Sequence, residues 1–470
     1  MKRRPDVLVA LALLFVASGT ARAGESDQED KDLNLIPPPA KTPAAPAAPV
    51  AAGGVQKIFL ENAVTESWLQ GSPVPAPPPP TPRWQERALF DVRRDWRVDE
   101  ALRFSYSGRL NLRAEDGLGF PNRENVSNDL REAYLSWEPR ERWFFDAGRI
   151  NLKSGVALGF NPTDFFKTRA VVEPLSVDPV VLREDRLGTL MVRAERVWDR
   201  GSLTAVYAPK VASDSAIYTE ANLPSLDPMF DRTNAHERWL LKGSIDVAEG
   251  LSPELLAYRS GGRTLWGANL AESIGKSAVA YIEWSGGRRG TLSEDALDFG
   301  RATGSLPAAA GGVLPGLGTV GFRNQLAMGA SYTTELPRIT FNLEFHYNQA
   351  GFSGTDWNDW FRTGSAFPPI AGALWYVRNY ASDQQELISR RFAFLRADWV
   401  DAFVPKLDLS GFIDTDLVDG STRIQVGADY YLSDRWTIGG LILVDSGGRR
   451  SDFGSLPQAA SVLLKVVRYF

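Results

Sequence analysis

Two histidines, His236 and His346, and no cysteine occur among the 470 residues. The side chains that carry most nucleophilic, redox and transition-metal chemistry are therefore nearly absent. His346 follows Glu344 by two residues in RITFNLEFHYN (338–348). On a strand, such neighbours share a face, and an imidazole beside a carboxylate is half of an acid–base pair. The same face also carries Thr340, Asn342 and Asn348, while Ile339, Phe341, Leu343, Phe345 and Tyr347 occupy the other. A strand with one wet face and one oily face accounts for the pair without catalysis. No GxSxG is present, and Gly316, Gly318 and Gly321 spell GxGxxG in a Gly/Pro-rich loop that leads into a strand instead of a strand-to-helix turn. The acidic DTDLVDG (414–420) lacks a full set of calcium ligands. No catalytic residue, metal or cofactor is expected.

The remaining chemistry is electrostatic. Alternation along the strands assigns Arg103, Arg109, Arg113, Arg149, Arg193, Glu195, Arg323, Glu344, His346, Arg390, Arg396, Asp408 and Arg423 to the polar faces. If those faces enclose water, rings of such charges select solutes by sign and size. Two long loops could narrow the path: 153–185, with Asn161 and Asp164 in an Asn-Pro-Thr-Asp corner, and 349–385, with Trp357, Trp360, Trp375 and Tyr376. Aromatic faces stack on sugars and cations. A compact loop packed by its own aromatics is the plainer reading.

Positioning these charges takes strands, and period-two alternation runs from about residue 100 to the end of the chain. ALRFSYSGRLNLRAE (101–115) is typical, with Leu102, Phe104, Tyr106, Leu110 and Leu112 opposite Arg103, Ser105, Ser107, Arg109 and Arg113. The pattern predicts about sixteen strands, between about 14 and 18. Tight turns at 139–142, 199–200, 249–251, 273–275, 335–337, 401–403 and 433–434 alternate mostly with long connections at 116–128, 153–185, 210–235, 287–318, 349–385 and 447–456. One edge of the sheet thus carries turns and the other carries loops, an arrangement a soluble sandwich has no reason to adopt. Trp137, Trp143, Trp198, Trp399 and Trp436 cluster near the tight turns, and Trp239 and Trp284 near the opposite strand ends. That distribution suits two membrane–water boundaries.

The N-terminal region is organised differently. Lys2, Arg3 and Arg4, an apolar run from Val7 to Val16, and Ala21-Arg22-Ala23 form a secretory signal, giving a mature start at Gly24. Residues 24–83, rich in Pro and Ala, read as an extended arm, within which VQKIFLENAVTESWLQ is a short helix or a sticky piece of linker. The domains expected are a signal peptide (1–23), a disordered Pro-rich arm (24–83) and a barrel (84–470). A net charge of −5 gives no basic field for nucleic acid.

The last strand, QAASVLLKVVRYF, with Val462, Leu464 and Val466 on one face and a terminal Phe470, resembles the closing strand of bacterial outer-membrane β-barrel proteins, with Arg468 where an aromatic or apolar residue is usual. FFDAGRINLKSGVALGFNPTDFF (144–166) is similar to a strand and loop of porin-like and alginate-export-like barrels. The resemblance implies an all-β, transmembrane, antiparallel up-and-down barrel in the Gram-negative outer membrane, with Phe470 as its assembly signal. Its partners would be outer-membrane lipid, lipopolysaccharide and the assembly machinery. The expected function is passive passage of small hydrophilic solutes. Polysaccharide export, or a barrel anchoring an arm that binds a periplasmic envelope partner, remain open on the sequence.

Overall fold

The computed structural model describes residues 56–77, 81–116, 126–172, 176–217, 227–248 and 251–470. The expected signal peptide and most of the expected arm lie outside these residues. The described chain forms one 18-stranded antiparallel sheet closed on itself. The strands are β1 (Gln56–Leu69), β2 (Trp84–Arg97), β3 (Leu102–Glu115), β4 (Val126–Arg140), β5 (Trp143–Ile150), β6 (Thr189–Trp198), β7 (Gly201–Ala208), β8 (Arg238–Ile245) and β9 (Glu254–Ser260). There follow β10 (Arg263–Ile274), β11 (Ala278–Arg289), β12 (Gly321–Thr333), β13 (Ile339–Asn348), β14 (Arg391–Trp399), β15 (Leu407–Asp416), β16 (Thr422–Ser433), β17 (Trp436–Ser446) and β18 (Gln458–Tyr469). Each strand pairs with its sequence neighbour, and β18 pairs with β1 from Phe59↔Tyr469 to Leu69↔Gln458.

The two-faced pattern has the expected sense. On β13, Phe341 and Leu343 are 39% and 60% exposed, whereas Asn342, Glu344 and His346 are 1–2% exposed. An apolar outside and a polar inside suit hydrocarbon around the cylinder. Closure follows from the same solvent, because an open edge there would leave unpaired backbone groups costing several kcal/mol each.

The strand count corrects the sequence reading, which missed β1 and β2. QKIFLENAVTESWL, taken for part of the arm, is β1 and holds the seam between β18 and β2. Its outward face mixes Ile58, Leu60, Val64 and Trp68 with Asn62 and Glu66, so its alternation is weak. β2 (WQERALFDVRRDWR) likewise carries charges on both faces, outward Glu86 and Arg94 and inward Arg87, Asp91 and Arg93. Register with their neighbours, not amphipathicity, makes them strands. Phe470 is half exposed at the seam and donates its N–H to the Ile58 carbonyl (3.0 Å).

The long connections fold over and into one end. α1 (Pro179–Glu184) lies in the 151–188 connection and α2 (Phe230–Thr233) precedes β8. α3 (Leu292–Ala302), α4 (Gly354–Ala366) and α5 (Ala371–Asp383) pack into a helical cap with its own apolar core of Leu292, Leu297, Trp357, Trp360, Phe361 and Leu374. Val74, from the β1–β2 connection, completes that core.

Removing residues 24–55 should leave a folded barrel, seen as retained heat-modifiable migration in gels, whereas removing 24–69 should abolish it. Equal folding of both truncations would show that β1 is dispensable for closure.

Candidate pore constriction

After Ile150 the chain turns into the barrel instead of rising above it, and two wall carboxylates fix its path. Glu283 on β11 accepts the backbone N–H groups of Val156 and Ala157 (2.6 Å for Ala157) and the Thr163 hydroxyl (3.2 Å). Glu344 on β13 accepts those of Leu158 (2.7 Å) and Gly159 (2.9 Å), and the Tyr281 hydroxyl (2.5 Å). Four consecutive loop amides thus cradle two anions, the geometry of an anion-binding nest with side chains as its ligands. Glycine is needed where the contact is closest. Gly155 has φ +79°, and a Cβ on Gly159 would lie 2.6 Å from His346 Cε1.

The apolar side of the loop is held separately. Phe165 stacks on Tyr258 of β9 with ring centroids 4.7 Å apart, and with Phe166 it covers Met191, Val206, Leu240 and Leu256 on the inner wall. Lys167 lies over the Phe160 ring at 4.2 Å and donates to the Asn161 carbonyl (2.8 Å). Burial holds its ammonium down to about 8.

The returning limb reaches the far wall. Ser176 donates to Gln425 of β16 (3.1 Å), and Asp178 pairs with Arg396 of β14 (2.5 Å), which also grips Asp398 (2.7 Å). β14 stands nine strands from β5 (14 − 5) in a ring of 18, so the loop spans a full diameter. It then comes back to the near wall, where Asp185 meets Arg109 (2.8 Å) and Arg131 (3.3 Å), both also bound by Asp91 (2.7 Å each). Arg186 closes the loop on Asp164 (2.5 Å). Breaking one partner of such a buried pair costs about 3–5 kcal/mol, because the other is left uncompensated. The cap is tied on as well, Asp383 at the end of α5 pairing with Arg169 (3.1 Å) and Arg232 (2.6 Å).

The residues singled out in the sequence distribute unevenly around this loop. Arg109, Arg396, Glu344, His346, Asn161 and Asp164 all belong to it, Asn161 bonding the Ala157 carbonyl. Arg193 pairs with Asp146 (3.3 Å) and Glu195, Arg423 with Asp445 (2.7 Å) and Arg113 with Glu115 (3.4 Å), as wall ion pairs. Arg149 is buried, with its Nε on the Gly188 carbonyl (2.9 Å) and its Nη1 on the Pro228 carbonyl, and Arg323 bonds the Thr319 carbonyl at the loop end (3.1 Å). Asp408 accepts the Asp401 N–H at a tight turn (3.1 Å). Arg390 sits on the loop-side rim with its Nε on the Gly351 carbonyl (3.1 Å), away from the narrow section.

Trp357, Trp360, Trp375 and Tyr376 are 0–6% exposed in the cap core, so these rings offer no face to a solute. Their indole N–H groups are used internally: Trp357 on Ser389 (2.7 Å), Trp360 on the Leu374 carbonyl (3.1 Å), Trp375 on the Val74 carbonyl (3.3 Å). His346 is 1% exposed with Nε2 on Glu344 (2.7 Å), an anchor that no substrate reaches.

Sequence reasoning passed over Asp91, Arg131, Asp178 and Asp185. Asp91, with its partner Arg131, depends on the unrecognised β2, and Asp178 and Asp185 acquire their roles only when the loop folds inward. It also passed over Arg93 and Arg97, which join Arg103, already assigned to a polar face, on the tight-turn half of the lumen. Arg93, Arg97 and Arg103 share the inward parity of Asp91 and Arg109, yet all are exposed, and Arg97 stands directly across from Arg103. None forms an ion pair among the described residues. Inward-facing and still solvated, they mark a wet vestibule with Asp95 interleaved.

No family model matches the chain, and no curated protein matches it. Among solved structures, a Rhodopseudomonas blastica porin triple mutant aligns at 11% identity and TM-score 0.39, over 89% of this chain and 100% of that one. A second mutant porin from Rh. blastica aligns at 11% identity and TM-score 0.38 over the same shares. Likenesses at this level decide nothing about solute or mechanism.

Substituting Glu283→Gln and Glu344→Gln together weakens the four charge-assisted bonds to the loop amides, each worth about 1.5–3 kcal/mol. The folded double variant should be cleaved within 151–188 by protease at concentrations that spare the wild type. An unchanged cleavage pattern would remove these carboxylates as the loop's anchors.

Proposed function

We propose that the chain is an outer-membrane channel of porin type that passes small hydrophilic solutes by diffusion. The observation that carries this reading is the layered lumen: solvated, unpaired Arg93, Arg97 and Arg103 below a loop that crosses a full diameter and is pinned to both walls. A barrel serving only as an anchor has no use for a solvated inner face beneath a fixed constriction. Water there keeps the charges of the wall available to a passing ion, and the fixed loop sets the size limit. Polysaccharide passage is less well supported, since the aromatic rings that would stack on sugars are consumed by the cap core. Catalysis is equally poorly served, because the His346–Glu344 pair is sealed beneath the loop.

The reading carries its surroundings with it: outer-membrane lipid and lipopolysaccharide against the apolar stripes, assembly machinery that reads the strand ending at Phe470, and a periplasmic partner for the arm.

Purified, folded protein should produce stepwise conductance in planar bilayers, and electrical silence would overturn the proposal. In a salt gradient, replacing Arg93, Arg97 and Arg103 with alanine should shift the reversal potential toward cations, lowering anion-over-cation permeability several-fold. The shift should shrink as salt rises toward about 1 M, where the screening length falls to about 3 Å.

A further inference from the structure

Tyr347 ends the outward apolar stripe of β13 at the loop-side rim. Beside it opens a cavity of about 290 Å³, lined by Tyr347, Ser353, Gly354, Arg390, Arg391 and Val418. Arg391 pairs across the ladder with Tyr347, so both side chains belong to the outer, membrane-facing surface. Arg390 spends only its Nε, on the Gly351 carbonyl, and keeps its two terminal amino groups. Neither arginine forms an ion pair among the described residues. The acids that bond to this corner are committed elsewhere: Asp356 accepts the Ser353 N–H (2.8 Å) and hydroxyl (2.7 Å) as the capping box of α4, and Asp416 accepts the Val418 N–H (2.7 Å) and the Ser389 hydroxyl. The cavity lining thus carries two arginines and no acid. Gly354 leaves its floor open, for a Cβ there would meet only Val418, at 3.8 Å. The volume is roughly ten times the ~30 Å³ share of a water molecule, ample for a phosphate ester and its polar substituent.

We propose that this rim cavity binds the phosphate of an anionic lipid headgroup. Guanidinium groups present paired donors matched to phosphate oxygens, and a tyrosine at the end of a lipid-facing stripe marks the depth at which headgroups stand. A free anion would have no need of a site opening onto the lipid-facing wall. The proposal rests on the membrane reading above, but lipid retention is measured without any current, so the two stand or fall separately.

Full-length folded protein in neutral detergent is incubated with phosphatidylglycerol or with phosphatidylcholine, and retained lipid is counted by native mass spectrometry. The wild type should retain one phosphatidylglycerol and no phosphatidylcholine. R390Q/R391Q, confirmed as folded by heat-modifiable migration, should bind it on the order of tenfold or more weakly, and R390K/R391K should fall between. Equal retention by the wild type and R390Q/R391Q overturns the site. Binding of inorganic phosphate without retention of phosphatidylglycerol overturns the lipid assignment.

Discussion

Everything in this molecule depends on the closure of a sheet in a solvent that cannot hydrogen-bond. In hydrocarbon each unpaired amide is a penalty of several kcal/mol, so the seam between β18 and β1 is as necessary as any strand pair within the wall. That requirement brings Gln56–Leu69 into the barrel despite its irregular alternation, because the cylinder needs a partner for the last strand more than it needs another clean oily stripe. The closing pairs run to Tyr469, so the chain's final residues and its first described ones form a single structural feature.

Closure creates a second problem. Eighteen strands enclose a space too wide for side chains to fill, and the chain uses its loop-side connections to divide it. Two materials do this work. The cap has a dry core, with Trp360 and Leu374 fully buried and Arg378 spread over the rings of Trp357, Trp360 and Trp375 while paired with Asp452. The crossing loop is held mainly by charge, through carboxylates on loop amides and the Arg396–Asp178 pair at one wall and the Arg109–Asp185 pair at the other. Hydrophobic packing is non-directional and gives the cap its bulk. Charge-assisted bonds are directional, and they fix where a thin segment with little core of its own crosses the lumen.

How much of this was legible followed from what each feature depends on. The alternation of β13 was readable because lipid and water act on each residue in turn, so Leu343 and Glu344 report their own surroundings. The alternating turns and loops were readable for the same reason, each being a local property of the chain. β2 was not, since Glu86 and Arg94 near its ends face outward where the apolar demand has weakened. The roles of Asp178 and Asp185 were beyond reach, because nothing local says that residues 35 and 42 positions after Trp143 will meet strands on opposite walls. The aromatic loop 349–385 was read with both meanings open, and the structure chose the core.

The division of charge inside the barrel follows from this construction. Where a loop crosses, water is displaced, and a charge left there without a partner would cost several kcal/mol, so Arg109, Arg131 and Arg396 are saturated by Asp91, Asp185, Asp178 and Asp398. Below the loop nothing displaces water, and Arg93, Arg97 and Arg103 stand unpaired at no such cost, even with two of them directly opposed. Of the arginines that alternation placed on the polar faces, Arg109, Arg113, Arg193, Arg396 and Arg423 have their fields cancelled locally by carboxylates. The solvated arginines, two of them on a strand that alternation did not reveal, are the ones whose fields extend into the passage.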